Sequence, residues 1–256
     1  GKSTVFELLT GVAPDPAKAH TGQVGQAIVA DPRFDQLLEH YRPGKEVPAR
    51  IELLDTPGLD RKQQDVNPQR LAVIREAQAL VQVVGAFHDV DPLDDVQRFS
   101  EELALADLQI VSKRVKRLEI DANKPRPDRD ELHAELEALR PIADALENNL
   151  NLDGLELSQV QLQITKSFSL LTTKKRLVLI NTAEPDASEQ IVETLETAGH
   201  HVMAAAVGLE LELEALDDDD RIEMASELGL SGSCRNELMQ SILKTADLIT
   251  FYTCAE

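Results

Sequence analysis

ARIELLDTPG, residues 49–58, is the stretch that decides the fold: an apolar run ends in a carboxylate, and a Pro-Gly turn follows at once. Alone it reads as a strand and a tight turn, for which Asp and Pro-Gly are ordinary residues. The rest of the chain raises it above that. VGQAIVAD (24–31) is a second β-rich run, while LVQVVGAF (80–87) and RLVLIN (176–181) are continuous apolar runs of the kind buried parallel strands show. HHVMAAA (200–206) is a weaker example. Helical patterns fall between the strands at 67–78 and 187–198, with two more near the end. Strand and helix in alternation predict an α/β fold, a parallel sheet with helices on both faces.

The middle differs, with no strand signal from Asp95 to about Leu170. Leu108, Val111, Val115 and Leu118 recur at helical spacing, as do Leu132, Leu136, Leu139, Ala143 and Leu146, and the Pro-rich NKPRPDRD (123–130) parts the two stripes. Two heptad-like helices joined by a breaker predict an antiparallel coiled-coil hairpin inserted between strands of the sheet. The expected division is an α/β domain formed by 1–95 and 171–249, a helical insert over 96–170, and a remainder at 250–256.

The opening GKSTVFELLTG reads as a helix entered at its N-terminus and closed by Gly11. Gly1, Lys2, Ser3 and Thr4 match the second half of the phosphate loop GxxxxGK[ST]. Phosphates call for backbone N–H groups aimed into a concavity, a cation that bridges them, and a hydroxyl for Mg²⁺. Gly1 would let the chain approach closely, Lys2 would reach the terminal phosphates, and Ser3 would ligate the metal. Four residues match by chance on many a surface helix, but DTPG after an apolar strand in the same chain makes chance a poor account. Asp55 would then hold a Mg²⁺-bound water, and the Gly58 amide would sense the γ-phosphate. The loop's first glycine and the strand before it are not among the 256 residues, so the sequence is expected to begin inside the motif. A third signal is LVLINTAE (177–184), where Asn181, Thr182 and Glu184 stand in place of the Asn-Lys-x-Asp that reads guanine. The same letters also suit a plain helix cap after a strand.

With INTAE added, the chain resembles the YchF, or Obg-like ATPase, family of P-loop proteins. DPRFDQL (31–37), VPARIELLDTPGL (47–59), RLAVIREAQALVQVV (70–84), EELALADLQIVSKRVKRLE (101–119) and LELELEALDDDDRIEMASELGL (209–230) look like that family in order and spacing. ADLITFYTCAE (246–256) resembles the opening of its C-terminal TGS domain, whose remainder is expected to lie beyond residue 256. The resemblance implies a P-loop NTPase domain interrupted by a coiled-coil arm, a translation-linked hydrolase of ATP or GTP, Mg²⁺ as cofactor, and a ribosome as partner. It also implies a preference for ATP over GTP. An Asp in the guanine loop accepts two N–H groups, whereas adenine offers an acceptor at the matching ring nitrogen, which a carboxylate would repel. Asn181 would fix the loop and the main chain at Thr182 would edge the base.

The chain also departs from that pattern. Leu59 follows the DxxG glycine where a water-orienting Gln is common, so help with hydrolysis must come from elsewhere. His88, in the shortened loop FHDVDPLDD (87–95), is the candidate by its pKa range. Thr21 is the hydroxyl between Gly11 and Val24 and hence the candidate second Mg²⁺ ligand, although it lies nearer to Val24 than the family pattern puts it. DRKQQDVNPQR (60–70) replaces a Gly-rich second switch, which leaves a nucleotide-responsive adaptor without turnover as the alternative; a GTP-preferring Obg-type GTPase is another.

Composition narrows the setting. No apolar run reaches the length of a membrane span, no secretory leader is visible, and Cys234 and Cys254 have no nearby Cys or His partner, as expected of a cytoplasmic protein. A net charge of −20 repels nucleic acid on average and argues against DNA as a partner. One local exception is Lys113-Arg114-Val115-Lys116-Arg117 on the arm, a run that is usually a solvated helix face and could instead touch ribosomal RNA.

Overall fold

The computed structural model describes residues 1–59, 67–87, 91–148, 152, 155–183, 188–228 and 234–254. They form two compact units: Gly1–Gly58, Val81–Pro92 and Arg176–Glu256 make the first, and Leu59–Leu80 with Leu93–Lys175 the second. The helical insert expected over 96–170 lies wholly inside the second unit, which also takes in residues 59–80.

In the first unit, helix α1 (Lys2–Thr10) stops at Gly11, whose φ of 69° is the left-handed conformation that favours glycine. Strands β1 (Gln23–Ile28) and β2 (Arg50–Asp55) pair from Gln23↔Asp55 to Ile28↔Arg50. This pair is antiparallel, not parallel as the alternation of strand and helix predicts. The end of β1 and the start of β2 are adjacent, so helix α2 (Pro32–Tyr41) joins them without crossing the sheet. The parallel sheet appears further on. Its order is β3 (Ala79–Gly85), β4 (Lys175–Asn181), β5 (His201–Ala205), with β4 and β5 parallel from Leu177↔His201 to Asn181↔Ala205. β4 is buried from Arg176 to its end, as its uninterrupted apolar run requires.

Helices α7 (Glu189–Thr197), α8 (Val207–Glu214), α9 (Asp218–Glu227) and α10 (Cys234–Thr245) complete this unit. The Asp-rich run at 216–221 starts α9, where Asp217 accepts the Asp220 N–H. One core joins them: Val5, Leu8 and Leu9 of α1, Ala27 of β1, Leu177 and Leu179 of β4, Val207 of α8 and Leu238 and Ile242 of α10. α1 lies flush on β1 because Gly25 has no side chain; a Cβ there would stand 2.7 Å from Phe6 Cζ and 2.9 Å from Thr10 Cγ2.

The second unit holds the hairpin. Helix α4 (Pro92–Asp121) is 30 residues long and α5 (Arg129–Glu147) 19, parted by the Pro-rich breaker. Val111, Leu118, Leu136, Leu139, Ile142 and Leu146 form their shared core, against which helix α6 (Gln159–Ser167) packs Ile164. At the base, Ile74 of α3 (Asn67–Glu76) packs with Leu103 of α4 and Leu171. There Asp107 is fully buried and its Oδ2 accepts both the Thr172 N–H (2.8 Å) and the Thr172 hydroxyl (2.9 Å). Arg75 Nη1 stands 2.7 Å from Asp107 Oδ1 as an ion pair, off the line of a hydrogen bond, and donates to Ser169 O at 2.9 Å. The Lys174 ammonium beside them donates to Ala77 O. Burial lowers its pKa, the Arg75 charge adds to this, and Asp107 opposes it.

Urea unfolding followed by circular dichroism tests both constraints. Gly25→Ala overpacks α1 against β1 and is expected to cost about 1–3 kcal/mol, with Gly44→Ala, which meets nothing within 4 Å, staying within about 0.5 kcal/mol. Asp107→Asn is expected to cost about 2–3 kcal/mol, under the ~3–5 kcal/mol of a fully buried pair because the Arg75 side chain keeps 16% exposure.

Candidate functional site

The site begins where α1 starts and β2 ends. A Cβ at Gly58 would lie 3.1 Å from Lys2 Nζ, so the ammonium of the first helical turn comes up against the glycine that closes DTPG. A side chain at 58 would press on the ammonium and make it shift by a few tenths of an ångström. The carboxylate of Asp55, at the end of β2, lies close enough to the start of α1 for its charge to act on the nitrogen at Gly1. That nitrogen stands 3.0 Å from Thr4 Oγ1, so the Thr4 hydroxyl is engaged locally.

The segment before β1 arrives at the same end of the ladder. Gly22 adopts φ +91°, and a Cβ there would press to 3.2 Å from both Asp55 O and Leu54 Cδ1. Gln23 pairs with Asp55 across the strands, which brings the preceding Thr21 to the end of the ladder that carries Asp55. The Gln23 side chain, 7% exposed, pins the loop: its Oε1 accepts the Asp15 N–H at 2.7 Å and its Nε2 donates to Ala13 O at 3.0 Å. Sequence reasoning missed Gln23. A glutamine at a strand start carries no pattern that marks it as an anchor.

The second half of the candidate site lies at the ends of β4 and β5, where parallel sheets present ligand crevices. Asn181 is 4% exposed; its Oδ1 accepts the Val207 N–H at 3.2 Å, its carbonyl accepts the Ala86 N–H at 2.9 Å, and the next N–H, of Thr182, donates to Ala205 O at 3.0 Å. Asn181 thus fastens three chain segments: the end of β4, the turn after β3 and the first turn of α8. Thr182 is 3% exposed, and its Oγ1 has no partner among the described residues. The two halves meet through the core, since Val5, one turn into α1, and Val207, the first residue of α8, belong to one buried cluster.

The side chains of Lys2, Ser3 and Asp55 make no hydrogen bond or ion pair with any described residue. An ammonium, a hydroxyl and a carboxylate stand at one helix N-terminus with their bonding capacity unspent. Hard oxygen donors of this kind suit Mg²⁺, which is commonly held by a carboxylate or two with phosphate oxygens and water. Among the described residues no three His, Cys, Asp or Glu side chains gather into a metal site, so a cation here would rely on the one carboxylate of Asp55 with hydroxyls and phosphate. Gly1, Lys2, Ser3, Thr4, Thr21, Asp55 and Gly58 are thus brought to one end of the β1–β2 ladder, and Asn181 and Thr182 to the end of β4. His88 and Glu184 lie outside the described residues.

Comparison with known proteins adds an independent line. No family model matches the chain. The ribosome-binding ATPase YchF of Escherichia coli O157:H7 is 30% identical over 274 residues, covering 99% of this chain and 75% of its own length. The protein of that name in Bacillus subtilis (strain 168) is 29% identical over 280 residues, covering 100% and 76%. The solved structure of the Schizosaccharomyces pombe YchF GTPase superposes with a TM-score of 0.82 at 23% identity, over all of this chain and 75% of that one, and so has the same fold.

If Asn181 is the fastener, Asn181→Ala strands the buried Val207 N–H and is expected to cost about 1–3 kcal/mol in urea unfolding. Asn181→Asp, which keeps an acceptor oxygen, should cost less, and amide exchange at Val207 should quicken in the alanine variant alone.

Proposed function

Because the chain belongs to the YchF family of P-loop nucleoside triphosphatases, we propose that it is an ATP-driven, Mg²⁺-dependent switch that works on the ribosome in the cytoplasm. The observation that carries the reading is the approach of Lys2 Nζ to Gly58: the cation that would grip the terminal phosphates and the amide that would sense the γ-phosphate sit side by side. Lys2 binds and orients the β- and γ-phosphates, and the first amides of α1 cradle them. Ser3, Thr21 and Asp55 would hold the Mg²⁺, which when bound neutralises phosphate charge. Asn181 keeps the base loop in place, with the main chain at Thr182 edging adenine and Glu184 disfavouring guanine. His88 is the candidate for handling the attacking water.

The ribosome enters from the relatives, which are named ribosome-binding ATPases. The way nucleotide state reaches the arm is supported by chain order. Gly58 ends the first segment of the first unit, Leu59 opens the second unit, and within that second unit α3 is locked to the base of the arm through Arg75, Asp107 and Thr172.

Calorimetry tests this reading. ATP is expected to bind more tightly than GTP, and Lys2→Ala to weaken ATP at least about ten-fold, the loss of one charge-assisted bond of ~1.5–3 kcal/mol. Unchanged ATP affinity in Lys2→Ala overturns the phosphate assignment. Single-turnover hydrolysis separates the switch from an adaptor that binds without turnover.

A further inference from the structure

The outer edge of the β1–β2 ladder is open. Its register continues to set Val29 opposite Ala49, and the Val29 N–H donates to Ala49 O at 2.9 Å. Residues of that parity, Gln23, Gly25 and Ala27, therefore turn their N–H and C=O groups toward β2. Val24, Gln26 and Ile28 turn theirs the other way, where no described residue takes them. The side chains of the same three residues are exposed on the face away from α1, Val24 at 55% and Ile28 at 47%. Open edges are usually blunted by a charge, a proline or a bulge. This one, QVGQAI, has no charged residue and no proline, in a chain of which 28% is charged, and it pairs without a bulge from Gln23 to Ile28.

We propose that β1 pairs antiparallel with β1 of a second copy of this chain, about a two-fold axis at Gln26, so that the two ladders become one four-stranded sheet. The strand is matched to itself about that centre. Val24 meets Ile28 of the other copy, Ile28 meets Val24, and Gln26 meets Gln26. Apolar side chains stand opposite apolar ones, two amides that each donate and accept face one another, and all six outward backbone groups find partners. Such an interface is isologous, the commonest kind between identical chains. Charge favours a second copy as the occupant. Each copy brings a net charge of −20, so two of them can approach closely only along a neutral strip, and a charged strand paired with itself would set like charges opposite each other. Two strands of six residues with their outward side chains bury less than the ~1,000 Å² of a lasting interface, so the pair forms and parts readily. Salt screens the repulsion between the two bodies and tightens the pair. Gly22, pressed against Asp55 O, leads directly into β1, so the two copies carry their candidate sites on one sheet.

Sedimentation velocity on the chain from about 1 to 500 μM, in about 50 and 500 mM NaCl, tests this. The average mass is expected to climb toward two chains with concentration, and to do so at lower concentration in the higher salt. Gln26→Lys sets two ammonium groups opposite each other and Gln26→Glu two carboxylates; each alone is expected to associate at least ten-fold more weakly. An equimolar mixture of the two variants should recover the pair as a mixed dimer. The thermal melt and ATP binding, expected to be unchanged, report that both variants are folded. Amide exchange on the unaltered protein needs no variant: the Val24, Gln26 and Ile28 amides should slow as concentration rises, while those of Gly25 and Ala27, already bonded to β2, stay as they are. A chain that remains single throughout the range overturns the proposal. So does a dimer that the single variants leave intact, or one in which exchange at Val24, Gln26 and Ile28 does not change. Variants that fail to associate when mixed overturn the two-fold axis at Gln26 and the proposal with it.

Discussion

Everything at the phosphate end depends on how closely α1 lies against the β1–β2 ladder. Gly25 permits it, because any side chain there would strike Phe6 and Thr10. With the helix seated so low, its first turn meets the end of β2, and Lys2 reaches Gly58. Gly22 completes the constraint from the other side, with a left-handed turn tight against Asp55 O. These three glycines contribute no side chain. They let the Lys2 ammonium and the Asp55 carboxylate lie near the start of α1.

The base end is built on a different principle. There Asn181 accepts N–H groups from two other segments, Val207 of α8 on its side chain and Ala86 after β3 on its carbonyl. Buried polar groups are worth most when fully satisfied, since each orphan is costly. Asn181 at 4% exposure ties α8 and the turn after β3 to the end of β4. It thereby makes the loop's position a property of the fold rather than of its own short sequence. Thr182 Oγ1, buried with no partner among the described residues, marks where that satisfaction stops.

Legibility in the sequence followed from how much one residue type could reveal by itself. Runs such as RLVLIN reveal burial on both faces, and the structure makes them β4 without exception from Arg176 on. Val111, Leu118, Leu136 and Leu139 predict the hairpin because the spacing of a buried stripe is local information. Strand direction is not local. β1 and β2 pair antiparallel because of where the chain goes between them, which no window of sequence contains. Helix α6 falls inside the expected helical insert but carries no apolar stripe long enough to mark it, and the Ser158 capping box before it is its one local signal. Asp107 had a readable sign, standing four residues from both Leu103 and Val111 on the apolar face, where a carboxylate implies a partner. That the partners would be Arg75 and Thr172 required the fold. At the candidate site GKST, DTPG and INTAE were legible because each is a contiguous motif, whereas Gln23, which pins the loop before β1, was not.

The same contrast between local and global information applies to charge. Net charge is a sum over the whole surface and says where the average polyanion does not go. A helix of 30 residues is long enough for its two halves to differ in sign and for one face to be sorted from another. Arg114, the cation turned toward α5, is neutralised by Glu135 and serves the hairpin. Lys113, Lys116 and Arg117 turn outward, where they add nothing to the hairpin core that Val111 and Leu118 build. Like charges gathered on one helix face repel each other at a small cost to the helix.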